Sequence, residues 1–333
     1  MKTVSRQKLM AAACGGAVLT LVSHVARADQ GGVPFWSSGQ FPSLAAVPES
    51  PGWSVAALPY YYNGSAGGGK SFNIGGTVSA GLSTRLPQLL VQPGYATEQR
   101  ILGGQPYVGI SFGIGRNNDD VNSSIALATR GAQASRSDAI TGGTDLYPFG
   151  SLSWNKDSHN WMTYLTGDIP TGAYNSQRLA NIGIGHAAID AGAGYTYLNE
   201  KTGHEFSVVM GLTYNLKNTS VNYRSGIDAH VDWAVSQFLS ERWHVGIVGY
   251  AYRQLTADTY PTSGLAGALR AQALGDFKSK VYAVGPEVGC LFTVGGQQAY
   301  LNLRGYKEFG AQNRTEGYAL FATVSIPIGS AKK

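Results

Sequence analysis

The fold is decided by the stretch HEFSVVMGLTYNL, residues 204–216. Most of its even positions carry large apolar side chains, among them Phe206, Met210 and Leu212, whereas its odd positions carry mainly small or polar ones. Because successive side chains of a β-strand point to opposite faces, this alternation predicts a strand with one apolar and one polar face. Strands of soluble proteins average about five to six residues, whereas a run of about ten matches a tilted strand that crosses a bilayer.

The same alternation recurs along the chain. The neighbouring runs 186–198 and 226–238 show it as clearly as 204–216 does. No continuous apolar run reaches the length of about 18 residues that a membrane-spanning helix requires. The pattern predicts twelve strands, at residues 53–62, 72–84, 106–116, 145–156, 159–167, 186–198, 204–216, 226–238, 243–252, 281–293, 297–308 and 317–328.

Connection lengths test this division of the chain. If the N-terminus lies in the periplasm, every second connection should be a short periplasmic turn and the others should be longer outer loops. The short, turn-forming connections 157–158, 199–203, 239–242 and 294–296 alternate with longer ones. Only 85–105 breaks the rule, and a lid, a small amphipathic helix or a missed strand pair would explain it. The sequence therefore predicts an all-β fold, a transmembrane antiparallel up-and-down β-barrel of about twelve strands over residues 53–329.

Residues 1–28 are predicted to be a signal peptide. A basic start is followed by an apolar stretch, residues 9–22, and by Ala26-Arg27-Ala28, a small-x-small cleavage signal. Four of the 25 basic residues and none of the 20 acidic ones lie in this segment, so the remainder carries 21 basic against 20 acidic residues. This balance gives no sign of a nucleic-acid partner. We expect export to the outer membrane of a Gram-negative bacterium, with Cys290 as the one remaining cysteine.

Residues 29–52 form a separate N-terminal segment. It contains four prolines and no sustained alternation, so it does not read as a ladder strand. Its aromatic residues Phe35, Trp36 and Phe41 need burial, and the interior of the barrel offers it. We expect the segment to enter the lumen as a plug; a leader packed beneath the barrel is the alternative.

Charged residues on the polar faces mark the predicted lumen. Asp228, His230 and Asp232 share one face of a strand, and His186 and Asp190 lie on the neighbouring hairpin. Alternate residues of a strand are about 7 Å apart, so three in a row are poorly placed to chelate one ion. We expect a polar lumen that contacts the solute, with no metal and no cofactor. The candidate lumen residues are Asp190, Asp228, His230, Asp232, Glu287, Tyr300, Arg304 and Tyr306.

Two other motifs suggest different chemistry. Residues 64–71 match the phosphate-binding pattern G-x-x-x-x-G-K-S, but an alternating run follows where that chemistry needs a helix, so we expect no nucleotide partner. A lumen-facing His230 near Ser207 and Ser236 keeps open an alternative function as an outer-membrane lipid hydrolase. No nucleophile elbow G-x-S-x-G accompanies these residues, and we expect that the chain is not an enzyme.

Several stretches together resemble a known family. They are Phe35-Trp36, residues 43–48, Pro51-Gly52-Trp53, residues 170–174, Asn181-Ile182-Gly183, residues 230–233 and residues 245–250. They resemble the meta-pathway of phenol degradation (MetA-pathway) family of outer-membrane β-barrel transporters. The resemblance implies a barrel that lets hydrophobic or aromatic compounds through the outer membrane. The chain departs from outer-membrane barrels in ending with a Gly-Ser-Ala-Lys-Lys tail after Ile328 rather than on an aromatic residue.

The sequence and the resemblance together predict a porin-like channel for passive uptake of small hydrophobic or aromatic compounds. A barrel-embedded lipid hydrolase and a structural or adhesive surface barrel that binds through its long outer loops are the alternatives. The expected partners are outer-membrane lipid, a small apolar or aromatic solute and the barrel assembly machinery.

Overall fold

A computed structural model of the chain describes residues 35–66, 71–74, 77–127, 130–260 and 278–328. The predicted signal peptide, residues 1–28, and residues 29–34 of the N-terminal segment lie outside them. No helix among the described residues is long and apolar enough to span a membrane. The described strands are β1 (Gly52–Ser65), β2 (Ser71–Ile74), β3 (Thr77–Ala80), β4 (Leu82–Ala96), β5 (Gln105–Leu127), β6 (Arg130–Gly143), β7 (Tyr147–Lys156), β8 (His159–Asp168), β9 (Ala188–Asn199), β10 (His204–Asn215), β11 (Asp228–Phe238), β12 (Trp243–Gln254), β13 (Lys280–Val294), β14 (Gln297–Gln312) and β15 (Glu316–Ile328).

Twelve of these strands form a closed antiparallel barrel. Each pairs with its neighbours in chain order, and β1 closes the ring by pairing with β15, where Trp53 lies opposite Ile328. On its other side β1 pairs with β4, and β4 pairs with β5. Closure leaves no open sheet edge in lipid, where an unpaired backbone N–H or C=O costs several kcal/mol. The predicted fold class and the strand number of twelve are confirmed.

The predicted second strand, 72–84, is wrong. Within that range β2 and β3 form a small separate hairpin, and the barrel strand is β4, in the stretch 85–105 that broke the connection rule. Pro87 and Pro93 explain the error, because proline lacks a ladder donor and the pairing of β4 with β5 is interrupted at both. With β4 in place, the connection to β5 shortens to residues 97–104 and follows the rule. A strand, β2, also follows the phosphate-like pattern, as predicted.

The predicted outer connection 117–144 is not an irregular loop. It is a hairpin made by the extension of β5 and by β6, which pairs with the upper part of β5 on the same side as β7. The outward face of β5 changes from apolar to polar after Ile114, beginning with Arg116. Most described positions of the hairpin beyond that point are small or polar, as expected of a segment that extends past the membrane into water. A strand without an apolar face carries no alternation for the sequence to reveal.

Two bands of exposed aromatic side chains encircle the barrel and mark the membrane interfaces. One band lies at the periplasmic strand ends and the other at the outer ends, with aliphatic residues such as Leu165, Met210 and Leu303 exposed between them. Such girdles are typical of outer-membrane barrels. The periplasmic band includes Trp53, Trp161, Phe206 and Trp243, and the outer band includes Tyr214, Phe309 and Tyr318.

Candidate functional site

All eight residues predicted to line the lumen occupy inward-facing positions. They lie on β9, β11, β13 and β14, so they form one side of the barrel interior. Five of them contact the N-terminal segment in the structure, and their contact with a solute stays a prediction. Seven are buried, namely Asp190, Asp228, His230, Asp232, Glu287, Arg304 and Tyr306, and Tyr300 is half-buried.

The described part of the N-terminal segment, residues 35–50, lies inside the barrel, and we call it the plug. A tight turn at Gly39 is held through its backbone. Asp232 accepts hydrogen bonds from the N–H groups of Gly39 (2.8 Å) and Phe41 (3.3 Å). Arg304 donates to the carbonyls of Gly39 (2.9 Å) and Gln40 (2.8 Å), and the Tyr306 hydroxyl donates to Gly39 (3.0 Å). Asp232 on β11 and Arg304 on β14 therefore satisfy both the N–H and the C=O groups of the turn.

Two further carboxylates hold the next turn of the plug. The Ser43 hydroxyl donates to Glu205 (2.8 Å) and also to Glu287, and the N–H of Leu44 donates to Glu205 (3.0 Å). The N–H of Ala46 donates to the Thr196 hydroxyl (3.0 Å). Sequence reasoning missed Glu205, although a glutamate on the polar face of a membrane strand is itself a signal, since such a charge must face the lumen.

Gly39 is required at its position for two reasons. Its φ of +87° lies in the left-handed region that L-residues rarely adopt. A Cβ atom added there would lie 2.8 Å from the Tyr306 ring and 3.0 Å from the Tyr250 ring. The turn therefore fits between two inward-facing tyrosines only because residue 39 has no side chain.

On the opposite side of the lumen, Phe149, Met162 and Tyr164 form an apolar surface that receives the aromatic side chains of the plug. Trp36, which is 3% exposed, packs in one buried cluster with Met162 and Tyr164 of β8. Phe41 packs against Phe149 and Tyr164, with ring centroids 6.4 and 5.9 Å away. We call the inner face of β7 and β8 the apolar wall, and the inner face of β10 to β14, which carries Glu205, Asp232, Glu287 and Arg304, the charged wall.

His230 joins the two walls. Its ring stacks on the Trp36 indole, with centroids 3.5 Å apart and planes inclined by 19°. Its Nε2 lies 2.9 Å from Asp190 Oδ2, which also accepts a hydrogen bond from the Thr213 hydroxyl (2.5 Å). The imidazole is thus fixed in orientation and presents a flat face to an aromatic ring.

The serine–histidine arrangement that a hydrolase would need is not formed. The hydroxyls of Ser207 (2.5 Å) and Ser236 (2.8 Å) both donate to Glu205, whereas His230 is bonded to Asp190. Among the described residues, no group of three or more His, Cys, Asp or Glu side chains is arranged to hold a metal ion.

Above the plug the lumen is lined by tyrosines around one buried acid. Glu308 accepts hydrogen bonds from Tyr62 (2.7 Å) and Tyr250 (2.8 Å) and from the N–H of Gly317 (2.8 Å). Arg314 lies 3.8 Å from Glu308, and its guanidinium lies 4.9 Å from the Tyr252 ring centre. This upper chamber offers aromatic faces and few free polar groups.

The connection 169–187 folds over the mouth of the barrel, and we call it the outer lid. Asp145, in the break between β6 and β7, accepts the N–H groups of Gly172 (2.6 Å) and Ile184 (2.9 Å). Ile182, with no exposed surface, packs into the cluster of the upper chamber. Two stretches of the family resemblance, residues 170–174 and 181–183, thus build the lid.

The sequence groups His186 with Asp228, His230 and Asp232. His186 precedes β9 in the outer lid, where it is buried and lies near Asp145. Burial lowers the pKa of His186, which favours the neutral imidazole.

Comparisons with known proteins agree with this geometry. The family model described as "Putative MetA-pathway of phenol degradation" matches residues 51–324. No curated protein is significantly similar to the sequence. Among solved structures, an outer-membrane channel from Pseudomonas putida F1 is similar, with a TM-score of 0.57 at 13% identity, over 87% of this chain and 98% of that one.

Two further solved structures are similar at lower TM-scores. A FadL homologue from Pseudomonas aeruginosa gives a TM-score of 0.41 at 10% identity, over 92% of this chain and 98% of that one. The beta domain of the Bordetella autotransporter BrkA gives 0.44 at 8% identity, over 83% and 100%.

Proposed function

This chain belongs to the MetA-pathway of phenol degradation family, and we propose that it is a channel for passive entry of small hydrophobic or aromatic compounds through the outer membrane of a Gram-negative bacterium. The closed barrel and its two aromatic girdles support that location. The predicted signal peptide would direct the chain there.

The stacking of Trp36 on His230 carries the proposal. The lumen already binds an aromatic ring at this point, between an oriented imidazole and the ring of Tyr164, whose centroid is 6.0 Å from that of the indole. An aromatic solute offers the same flat face, and each such ring pair is worth about 0.5–1.5 kcal/mol beyond its buried area. When Trp36 leaves, its place becomes a site for a solute ring.

The plug supplies the closed state of the proposed channel. It fills the lumen between the two walls, so a solute passes only when the plug shifts. Its polar contacts are made largely through backbone N–H and C=O groups, which water can satisfy once the plug moves. The plug can therefore move out without leaving its polar groups unpaired, and the solute passes once the plug is displaced.

Flux into reconstituted vesicles tests the proposal. Substituted phenols should enter faster than sugars of similar size, with protein-free vesicles as the baseline for direct crossing of the bilayer. Deletion of residues 35–48 should raise the flux of both solute classes. An absence of flux above baseline for the intact and the deleted chain would reject a channel.

Selectivity is tested in the deletion variant, where the plug no longer competes with the solute. His230→Ala combined with Tyr164→Ala should reduce the preference for phenols over sugars about threefold to tenfold, the value of one or two ring contacts. Tyr62→Phe, which keeps an aromatic ring in the upper chamber, is the matched control and should leave the preference unchanged. Equal preferences in all three proteins would reject the aromatic site.

A further inference from the structure

The two ends of the barrel differ sharply in exposed charge. Among the described residues, seven basic side chains and one acidic side chain are exposed at the outer end, against four basic and five acidic ones at the periplasmic end. The outer ones are Arg85, Arg116, Arg136, Lys217, Arg253, Lys278 and Lys307, with Asp120 as the acid; the periplasmic ones are Arg100, Lys156, Lys201 and Arg242, with Glu49, Glu98, Asp157, Glu200 and Glu241.

The outer charges are densest at the outer ends of β12, β13 and β14. Arg253 and Lys280 lie directly opposite each other on neighbouring strands, on the face turned away from the lumen. Residues in such positions have Cβ atoms about 4.5–5.5 Å apart, and like charges there are destabilising. In the described part of the chain neither side chain forms an ion pair. A pair of this kind is stabilised when an anion lies across it.

An aromatic pair places these charges at the membrane surface. The rings of Tyr282 and Phe309 stack on the outer face with centroids 6.0 Å apart, in the outer girdle. Lys280 lies two residues outward of Tyr282, whereas Lys307 lies two residues from Phe309 on the membrane side, opposite Val284. We call Arg253, Lys278, Lys280 and Lys307 the basic patch; its side chains are long enough to place their charges at the level of lipid head groups.

Two acids of the neighbouring outer connections are engaged elsewhere. Asp258 accepts hydrogen bonds from the N–H of Gly226 (3.0 Å) and from Gln254 (2.6 Å), and Glu316 accepts one from the N–H of Ala311 (2.9 Å). The partner of the basic patch must therefore bring its own negative charge, and it must sit beside apolar surface at the outer interface.

We propose that the basic patch binds the phosphate groups of the phosphorylated glycolipid of the outer leaflet, the lipid A portion of lipopolysaccharide. Acyl chains would lie against the aliphatic surface below Tyr282 and Phe309 while the phosphates bridge Arg253 and Lys280. The proposal rests on the outer-membrane location in the proposed function. It adds a binding surface on the outside of the barrel that is separate from the lumen.

Native mass spectrometry of the full chain in detergent, titrated with diphosphoryl lipid A, tests the proposal. The unaltered chain should bind it at least about tenfold more tightly than dephosphorylated lipid A. Arg253→Gln with Lys280→Gln should lose about tenfold in affinity. Lys201→Gln with Arg242→Gln removes the same charge from two adjacent periplasmic turns and should retain binding.

Three results would overturn the proposal: equal loss in both double variants, equal binding of phosphorylated and dephosphorylated lipid, or displacement of the lipid by millimolar inorganic phosphate, which would indicate a free-phosphate site. Arg253→Gln with Lys280→Gln should leave phenol flux unchanged. If the chain binds lipid A but conducts no solute, the channel proposal is rejected and the lipid A proposal is retained. Failure of one proposal can therefore be distinguished from failure of the other.

Discussion

The two walls of the lumen hold the same plug in different ways. The charged wall contacts the backbone of the plug, through Asp232, Arg304 and Glu205. The apolar wall contacts its side chains, burying Trp36 and Phe41 against β7 and β8. Hydrogen bonds have fixed directions and lengths, whereas apolar contact scales with buried area and tolerates small shifts. The charged wall therefore sets the position of the plug, and the apolar wall adds stability without fixing that position.

The largest change in conductance is expected when the hydrogen bonds to the turn at Gly39 are removed. Asp232→Ala with Arg304→Ala is neutral in net charge and deletes four hydrogen bonds to residues 39–41. Each bond to a charged group is worth about 1.5–3 kcal/mol, so the plug should spend most of its time displaced. Single-channel conductance should rise at least about tenfold.

Asp228→Ala is the matched control for that experiment. Asp228 is also an inward-facing buried acid, but it is bonded to Asn215 (2.9 Å) rather than to the plug. Its removal should leave the conductance at the level of the unaltered chain. Equal conductance in the double variant and this control would show that the charged wall does not position the plug.

Gly39→Ala should open the channel to a smaller degree. The new Cβ would overlap the Tyr306 ring, and an L-residue in the left-handed region costs about 1–2 kcal/mol. Conductance should rise severalfold. Adding Tyr306→Ala should recover part of the closure, whereas Gly52→Ala, which also places a side chain at a positive φ (+127°) but has nothing within 4 Å, should not change conductance. If Gly39→Ala conducts like the unaltered chain, the turn is not tightly held.

Trp36→Ala should lower the stability of the protein more than it changes the position of the plug. Truncation of a buried tryptophan costs about 3–5 kcal/mol, so the thermal unfolding temperature should fall. The backbone contacts of the plug remain, and conductance should rise less than in the Asp232→Ala and Arg304→Ala double variant, which loses four hydrogen bonds to charged groups. A conductance equal to that of the Asp232→Ala and Arg304→Ala double variant would erase the distinction between the walls.

The smallest effect is expected at the outer lid. Arg178 donates to Asp138 of β6 at 3.2 and 2.5 Å, but its side chain is 35% exposed, and such pairs contribute about 1 kcal/mol or less. Arg178→Ala should make the lid modestly more sensitive to protease added outside, with unchanged phenol flux. A large rise in flux would mean that the lid, rather than the plug, closes the channel.

Much of the barrel could be predicted from sequence because lipid on one face and lumen on the other impose alternation, as in residues 204–216. The prediction failed where that contrast is missing. In β4, Leu89, Leu90 and Val91 are apolar in both phases and two prolines interrupt the ladder, whereas the described positions of β6 are mostly small or polar on both faces.

The lumen-facing residues could be predicted, but most of their partners could not. Alternation placed Asp232 and Arg304 inside the barrel, since a strand determines which way a side chain points. Their partners are backbone atoms of Gly39, Gln40 and Phe41, which have the same N–H and C=O groups in almost any sequence. Contact between a plug and a wall about 190 residues or more away in sequence is therefore invisible to local patterns.

A reversible disulfide between the plug and the barrel tests whether solute passes only when the plug is displaced. A Cβ atom built on Gly194 lies 3.6 Å from that of Ala46, a separation that a disulfide spans. Ala46→Cys with Gly194→Cys would lock the plug to β9, and Cys290→Ser removes the competing thiol. Each single cysteine variant, in the same background, controls for oxidation.

The measurement is phenol flux into vesicles carrying the tethered chain, before and after addition of a reductant. Phenol flux should stay at the protein-free baseline while the disulfide is closed. It should rise to the level of the single cysteine variants once the disulfide is reduced. Equal flux in the oxidised and reduced states would contradict this prediction, because solute would then pass with the plug still in place.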